Sequence, residues 1–192
     1  MKHVIILAHP NPASFNGSVA AAYSSALQAR GHFVVVRDLY EMGFDPCLKL
    51  GEIPGPHGFT PGPDVVAERL LLADADAFAF VSPLWFNAAP AILKGYVDRV
   101  FGMGFGYLPV TGGTRPNLSG RPLTCFTSSE AGDQDVRSAG SIEALEMIFE
   151  RHLAAVCGLA MQDHLHFAGV TPGMAAETVT SMLERVRQAA QR

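Results

Sequence analysis

The chain has 192 residues, a length that a single hydrophobic core commonly serves, so we expect one domain over residues 1–192. Hydrophobic residues make up 48% and charged residues 17%, which favours a folded protein with a large interior or a surface covered by a second subunit. The net charge of -4, with no basic cluster, argues against nucleic acid as a partner.

The apolar runs and the cysteines indicate the compartment. Each apolar run is far shorter than the ~20 residues of a membrane span, and the chain opens without the long apolar segment of a secretion signal. We therefore expect a cytoplasmic protein without direct membrane insertion. Cys47, Cys125 and Cys157 are widely spaced and lack a C-x-x-C arrangement, which argues against a disulfide framework or a zinc knuckle. We expect each cysteine to be a small buried apolar residue.

Apolar runs typical of buried parallel strands alternate with segments of helical periodicity. Gly31 ends the first predicted helix, and Pro63 begins the second. Five strands and five helices in alternation predict a three-layer, doubly wound α/β fold with five parallel strands in the flavodoxin-like order 2-1-3-4-5. The predicted strands cover 3–8, 32–37, 76–81, 121–127 and 158–167, and the predicted helices cover 16–30, 63–74, 88–101, 141–156 and 173–190.

The loop after the first predicted strand suits an anion. It brings Ser14, Asn16 and several backbone amides to the positive end of the following helix, where a phosphate can bind. The same side chains cap helices that bind no ligand, so both interpretations stay open. His9, directly after the strand, can reach a phosphate or serve as a turn residue. The glycine patterns of dinucleotide-binding and NTP-binding loops are absent, which argues against those two classes.

Two long connections, 42–62 and 102–120, are rich in proline and glycine. The first exceeds the usual length and predicts a binding lid, a subunit contact or a mobile loop. The second contains Phe105 and Tyr107, and these aromatic rings favour a location near the functional site.

The segment from Ser82 to Asn87 follows a buried run and precedes an amphipathic helix. Loops at the carboxyl ends of parallel strands are where open α/β proteins bind ligands. Trp85, the only tryptophan of the chain, lies beside Phe86, and this pair suits a flat, partly apolar ring system. Together with the first loop, this segment predicts a nucleotide-like cofactor.

Three segments resemble the NAD(P)H:quinone oxidoreductase family, whose members are flavodoxin-like flavoproteins. The resemblance spans most of residues 1–127 and implies FMN or FAD as cofactor, NADH or NADPH as electron donor, a small aromatic, quinone-like acceptor and a homodimer. The segments are His9-Pro10-x-x-x-Ser14-Phe15-Asn16, Pro83-Leu84-Trp85-Phe86 and Ala91-Ile92-Leu93-Lys94-Gly95-x-x-Asp98-Arg99-Val100-Phe101-x-x-Gly104-Phe105-x-Tyr107.

The resemblance also implies roles for individual residues. Backbone amides at the Trp-Phe step would hydrogen-bond the flavin ring, and Tyr107 would form a wall of the acceptor site. The residues implied to bind the cofactor are His9, Ser14, Phe15 and Asn16 at the phosphate end, Pro83, Leu84, Trp85 and Phe86 along the ring, and Thr127, Ser128 and Ser129 at its edge.

Where the family has the motif Thr-Thr-Gly-Gly, this sequence reads Thr127-Ser128-Ser129-Glu130, without the glycines. The Tyr and His that follow this motif in the family, and that manage charge on the reduced ring, are also missing between 127 and 151. We expect their proton relay to be lost, or to be replaced by Glu130 or Asp133. This departure puts quinone specificity in doubt more than flavin binding.

Two further groups have a simple structural interpretation. Lys94 and Asp98 form an i,i+4 pair that is expected on a solvated helix face. His164 and His166 alternate on a predicted strand, so they share one side of the sheet and could ligate a metal. Only two ligands are evident, and we favour hydrogen-bonded histidines and predict no metal site.

The sequence thus predicts a flavin-dependent oxidoreductase that passes two electrons from a nicotinamide to a quinone-like acceptor. One alternative is a flavin-binding regulatory or ancillary subunit of a partner such as a transporter, because the altered segment after 127 would suit relaxed catalysis. Another is a one-electron carrier of the flavodoxin type, which is disfavoured because flavodoxins are far more acidic and use a different phosphate loop.

Overall fold

The computed structural model describes residues 1–56, 58–138 and 140–192. Its central sheet has five parallel strands in the order β2-β1-β3-β6-β7, and β4 and β5 form a separate antiparallel hairpin. Numbered alone, the strands of the central sheet have the order 2-1-3-4-5, so the predicted fold is confirmed. In chain order the strands are β1 (Lys2–Leu7), β2 (Phe33–Asp38), β3 (Ala77–Pro83), β4 (Tyr107–Val110), β5 (Gly113–Pro116), β6 (Pro122–Ser128) and β7 (Ala160–Phe167).

Helices cover both faces of the sheet because alternate residues of each strand point to opposite sides. In β1, Val4 and Ile6 face a core formed with α2, α3 and α6, whereas Ile5 and Leu7 face a core formed with α1 and α7. The helices are α1 (Phe15–Ala29), α2 (Pro63–Leu72), α3 (Ala91–Val100), α4 (Asp133–Ser138), α5 (Ser141–Leu145), α6 (Arg151–Cys157) and α7 (Ala176–Ala189), with a 3-10 turn at Leu50–Glu52 and a π-helical segment at Glu146–Glu150.

Three details differ from the sequence-based expectation. The hairpin of β4 and β5 lies in a connection whose glycine and proline content gave no strand signal, and Gly112 takes a positive φ of 84° at its turn. The predicted helix over 141–156 is helical throughout but contains the π-helical segment, and α4 precedes it. Cys125 and Cys157 are buried as expected, but the prediction is wrong for Cys47, which is exposed on the outer connection 42–62.

Among the described residues, no helix is both long and apolar enough to cross a membrane.

The described part of connection 42–62 packs against α3; residue 57 of this connection lies outside the described residues. A Cβ atom added to Gly95 would lie 2.2 Å from the carbonyl oxygen of Pro46, so the two backbones touch. Arg99 of α3 fixes the contact, since its guanidinium donates to both carboxylate oxygens of Glu52 at 2.7 and 2.9 Å and to Asp64 at 2.7 and 3.0 Å. The Arg99 and Glu52 side chains are only 2% and 3% exposed, so this is a buried ion pair.

We expect this ion pair to make stability depend on pH. Its guanidinium lowers the pKa of Glu52 from 4.5 to about 2. The unfolded chain therefore binds the proton more readily, and the stabilisation is fully present above pH 4.5 and is lost as the pH falls toward 2. We expect a loss of about 2–3 kcal/mol in the free energy of unfolding over this range, measured by urea denaturation. Glu52→Gln should flatten the dependence, and a wild-type slope in that variant would contradict this origin.

Candidate functional site

A cavity of about 430 Å³ opens at the carboxyl end of the sheet. It lies where β1 and β3 are neighbours, the point at which the strand order of this fold reverses. All but one of its lining residues were predicted from the sequence; Val170, after β7, was not, because no motif marks that loop. The lining residues are His9, Phe15, Asn16, Pro83, Leu84, Trp85, Phe86, Ser128, Ser129, Glu130 and Val170.

The loop after β1 is tightly wrapped on the first turn of α1. Ser14 is the N-cap residue, and its Oγ accepts the backbone N–H of Gly17 at 3.1 Å. A Cβ atom at Gly17 would lie 2.4 Å from the carbonyl oxygen of Pro12, so a side chain there would displace the loop. The first turn has no acidic residue, and the positive end of the 15-residue helix is therefore available to an anion.

Asn16 connects this loop to the end of β6. Its side chain is buried, and Nδ2 donates to Ser128 Oγ at 2.9 Å. His9 Nδ1 lies 3.0 Å from the backbone N of Asn11 and 3.1 Å from its carbonyl oxygen, so Asn11 can hold the ring in either tautomer. The rings of His9 and Trp85 have centroids 6.0 Å apart. The cavity thus lies between polar groups on one side and an aromatic loop on the other.

The aromatic loop after β3 forms a tight turn with unusual backbone geometry. The backbones of Trp85 and Ala88 exchange two hydrogen bonds, of 3.1 and 3.2 Å. The two central residues, Phe86 and Asn87, have φ angles of 52° and 57°. A positive φ is costly for a bulky residue, and such strain is concentrated at functional sites. The Phe86 side chain is nevertheless fully exposed, so the strained turn holds an aromatic ring in solvent beside the cavity.

We expect Phe86→Gly to raise the free energy of unfolding by about 1 kcal/mol relative to Phe86→Ala, because glycine adopts a positive φ without the clash of a Cβ atom. The alanine variant is the matched control, since it also lacks the ring but keeps the Cβ. Chemical denaturation of the two variants measures the difference. Equal stabilities would show that the turn carries no strain.

Four predicted residues do not line the cavity: Ser14, Thr127, Asp133 and Tyr107. Thr127 is buried beneath the cavity and does not line it. Asp133 is exposed at the start of α4, away from the cavity lining, whereas Glu130 borders the cavity. Tyr107 begins β4 and lines a separate cavity of about 210 Å³ beside α3, so one chain does not bring it to the main cavity.

Two residue pairs make the hydrogen bonds or ion pair expected from the sequence, one on β7 and one on α3. His164 and His166 both contact the Thr127 hydroxyl, at 2.7 and 2.9 Å. In the described part of the chain, no three His, Cys, Asp or Glu side chains are grouped to hold a metal ion. Lys94 and Asp98 form the expected exposed ion pair at 2.7 Å.

Comparisons with known proteins agree with this geometry. A protein family described as having a flavodoxin-like fold matches residues 1–190. An uncharacterized NAD(P)H oxidoreductase of Haemophilus influenzae is 33% identical over 160 residues, which are 83% of this chain and 79% of that protein. NAD(P)H dehydrogenase (quinone) 1 of Cavia porcellus is 39% identical over 121 residues, 54% of this chain but only 44% of that protein.

Solved structures show the same relationship. An NAD(P)H:quinone oxidoreductase from Methanothermobacter marburgensis superposes with a TM-score of 0.86 and 30% identity, over 100% of this chain and 96% of the other. The resemblance inferred from the three sequence segments is therefore confirmed. The chain belongs to the family of proteins with a flavodoxin-like fold.

Proposed function

We propose that the protein is a flavin-dependent oxidoreductase that transfers two electrons from NADH or NADPH to a quinone-like acceptor. One observation carries this proposal: a single cavity unites an anion-binding helix terminus with an exposed aromatic loop, the two environments that the ends of a flavin require. The names of the relatives support the same reaction, and both FMN and FAD are candidates.

The residues present fit a flavin. The N-terminal amides of α1, the Ser14 hydroxyl and the Asn16 amide can donate to a phosphate, and Gly17 keeps the loop free of a side chain that would displace it. The Trp85 amide donates within its own turn to Ala88, so we assign ring binding to the Phe86 amide. When bound, the flavin would accept hydride from the nicotinamide and pass it to the acceptor.

The protein's own contribution is orientation and charge. Trp85 and Phe86 form an exposed aromatic rim, against which flat substrates can stack. Glu130 is the carboxylate that borders the cavity, and it remains a candidate proton donor.

Flavin titration tests this proposal directly. Trp85 is the only tryptophan and borders the cavity, so bound FMN or FAD should quench its fluorescence. NADH or NADPH should then bleach the flavin absorbance, and a benzoquinone should restore it. A protein whose Trp85 fluorescence responds to neither flavin would overturn the proposal.

We also propose a homodimer. The resemblance implies that Tyr107 forms a wall of the acceptor site, but Tyr107 lies outside the main cavity of its own chain. A second copy of the chain is the simplest source of a tyrosine at that cavity. Exposed apolar side chains, among them Leu50, Met147 and Ile148, provide surface for such a contact. Sedimentation at micromolar concentration should give twice the 20.5 kDa chain mass. A monomer with full reductase activity would contradict a shared site.

A further inference from the structure

A continuous row of polar contacts runs along β6 and β7 to the main cavity. His164 Nε2 lies 2.7 Å from Thr127 Oγ1, which lies 2.9 Å from His166 Nδ1. His166 Nε2 in turn lies 3.0 Å from Ser129 Oγ, and Ser129 lines the cavity. The parallel register places Thr127 directly opposite His166, so the fold itself builds this row.

The donors and acceptors give the row one direction. The Ser129 hydroxyl donates to the Ala131 carbonyl at 3.0 Å, so it must accept the Nε2–H of His166. With His166 neutral, its Nδ1 accepts the Thr127 hydroxyl proton. Thr127 has no second proton and therefore accepts the Nε2–H of His164. Each bond thus points from His164 toward the cavity.

The far end of the row is a buried charge cluster. His164 Nδ1 lies 3.1 Å from Glu150 Oε2 and 3.3 Å from Glu146 Oε1, both on the π-helical segment. Burial lowers the pKa of His164, but the two carboxylates outweigh burial and raise it above its ordinary value. Of the neighbouring groups, Cys125 stays a neutral thiol because burial raises its pKa, and Arg151 pairs with Glu146 on the outer side. The two carboxylates therefore favour the imidazolium form of His164.

We propose that this row is a proton relay that carries one proton from His164 to Ser129 and thence to the reduced acceptor in the cavity. The inference rests on the proposed function. Reduction of a quinone by a nicotinamide takes up two electrons and two protons, and hydride supplies both electrons but only one proton. The relay would supply the other proton in place of the Tyr and His that follow the family motif and that this sequence lacks between 127 and 151.

The transfer is balanced at each atom. His164 Nε2 gives its proton to Thr127 Oγ1, Thr127 gives its own to His166 Nδ1, and His166 Nε2 gives its proton to Ser129 Oγ. The Ser129 hydroxyl, which rests on the Ala131 carbonyl, turns into the cavity and gives its own proton to the acceptor oxygen. One proton leaves His164 and no electron moves. Glu146, whose side chain is 25% exposed, connects the cluster to solvent. It faces Nδ1, whereas the proton left from Nε2, so the His164 ring turns before this route protonates it again. The Thr127 hydroxyl then rotates and His166 changes tautomer.

The flavin-free protein provides the first test. Nitrogen-15 NMR should show that His164 keeps both ring protons to a higher pH than an unperturbed histidine, whose pKa is 6.5. His166 should be the Nε2–H tautomer. Because Thr127 links the rings, Thr127→Val should change the His166 signals while leaving His164 a cation. A His164 titration midpoint at or below 6.5 would overturn the relay.

The second test separates the two half-reactions in the flavin-loaded protein. Of the four residues of the row, Ser129 alone borders the cavity. Thr127 is therefore a positioning residue, and removal of its hydroxyl should spare hydride uptake by the flavin. Thr127→Val should slow reoxidation by a benzoquinone about tenfold or more and change its solvent deuterium isotope effect. Thr127→Ser should restore both because it keeps the hydroxyl, and His152→Gln is the control for loss of an exposed ring.

The outcomes distinguish this inference from the proposed function. If no flavin binds, or if the nicotinamide does not reduce it, both fail. If the flavin is bound and reduced but Thr127→Val reoxidises at the wild-type rate, only the relay fails. A slow Glu130→Gln variant beside a normal Thr127→Val variant would identify the rim carboxylate as the donor and would also overturn the relay.

Discussion

Replacement of Arg99 by methionine is expected to lower the free energy of unfolding by about 3–5 kcal/mol, because removal of one partner of a buried ion pair leaves the other charge uncompensated. Glu52 would keep its buried position without the guanidinium that donates to both its oxygens. The connection 42–62 would also lose its main polar attachment to α3. Urea denaturation at neutral pH measures the effect.

A matched control lies on the same helix. Lys94 and Asp98 form an ion pair of similar length that is half-exposed, so Lys94→Met should cost less than about 1 kcal/mol. Adding Glu52→Gln to Arg99→Met should recover part of the loss, since no buried charge then remains at that position. Similar losses for Arg99→Met and Lys94→Met would show that burial does not strengthen this ion pair.

These two ion pairs also show what sequence periodicity can and cannot predict. Lys94 and Asp98 are four residues apart, so a helix brings them together whatever surrounds it. Arg99 follows Asp98 directly, but one residue turns about 100° around the helix and faces the interior. Its partners lie 47 and 35 residues away, and no local pattern indicates contacts over such distances.

In the candidate site, too, local sequence patterns predict some features, whereas others depend on the tertiary structure. Loops at the carboxyl ends of consecutive strands are recognisable in the sequence, and the strand order alone brings them to one cavity. Alternation along β7 correctly placed His164 and His166 on one side of the sheet. Their shared partner, Thr127, depends on the register between β6 and β7, which includes an irregularity at Leu123 and Thr124. Register is a tertiary property, so the row of contacts could not be predicted.

The double variant Ser14→Ala, Asn16→Ala is expected to bind FMN at least about 30-fold more weakly. Each side chain would lose a hydrogen bond to a charged phosphate, worth ~1–3 kcal/mol, and the two losses together give ~2–6 kcal/mol. Quenching of Trp85 fluorescence during an FMN titration measures the dissociation constant. Riboflavin is the matched ligand, because it has the same ring system without the phosphate, and its affinity should change little.

Ser14→Asp separates the two roles that one hydroxyl can have in this loop. Aspartate is a good N-cap, and it can accept the Gly17 N–H that Ser14 accepts, so the stability of α1 should be retained. Its negative charge would nevertheless repel a phosphate at the helix terminus and weaken FMN binding. If FMN affinity is unchanged in Ser14→Asp and in the double variant, Ser14 only caps the helix. An equal loss for riboflavin and FMN would instead indicate that Asn16 acts by holding the end of β6 in place, since its amide donates to Ser128 at that point.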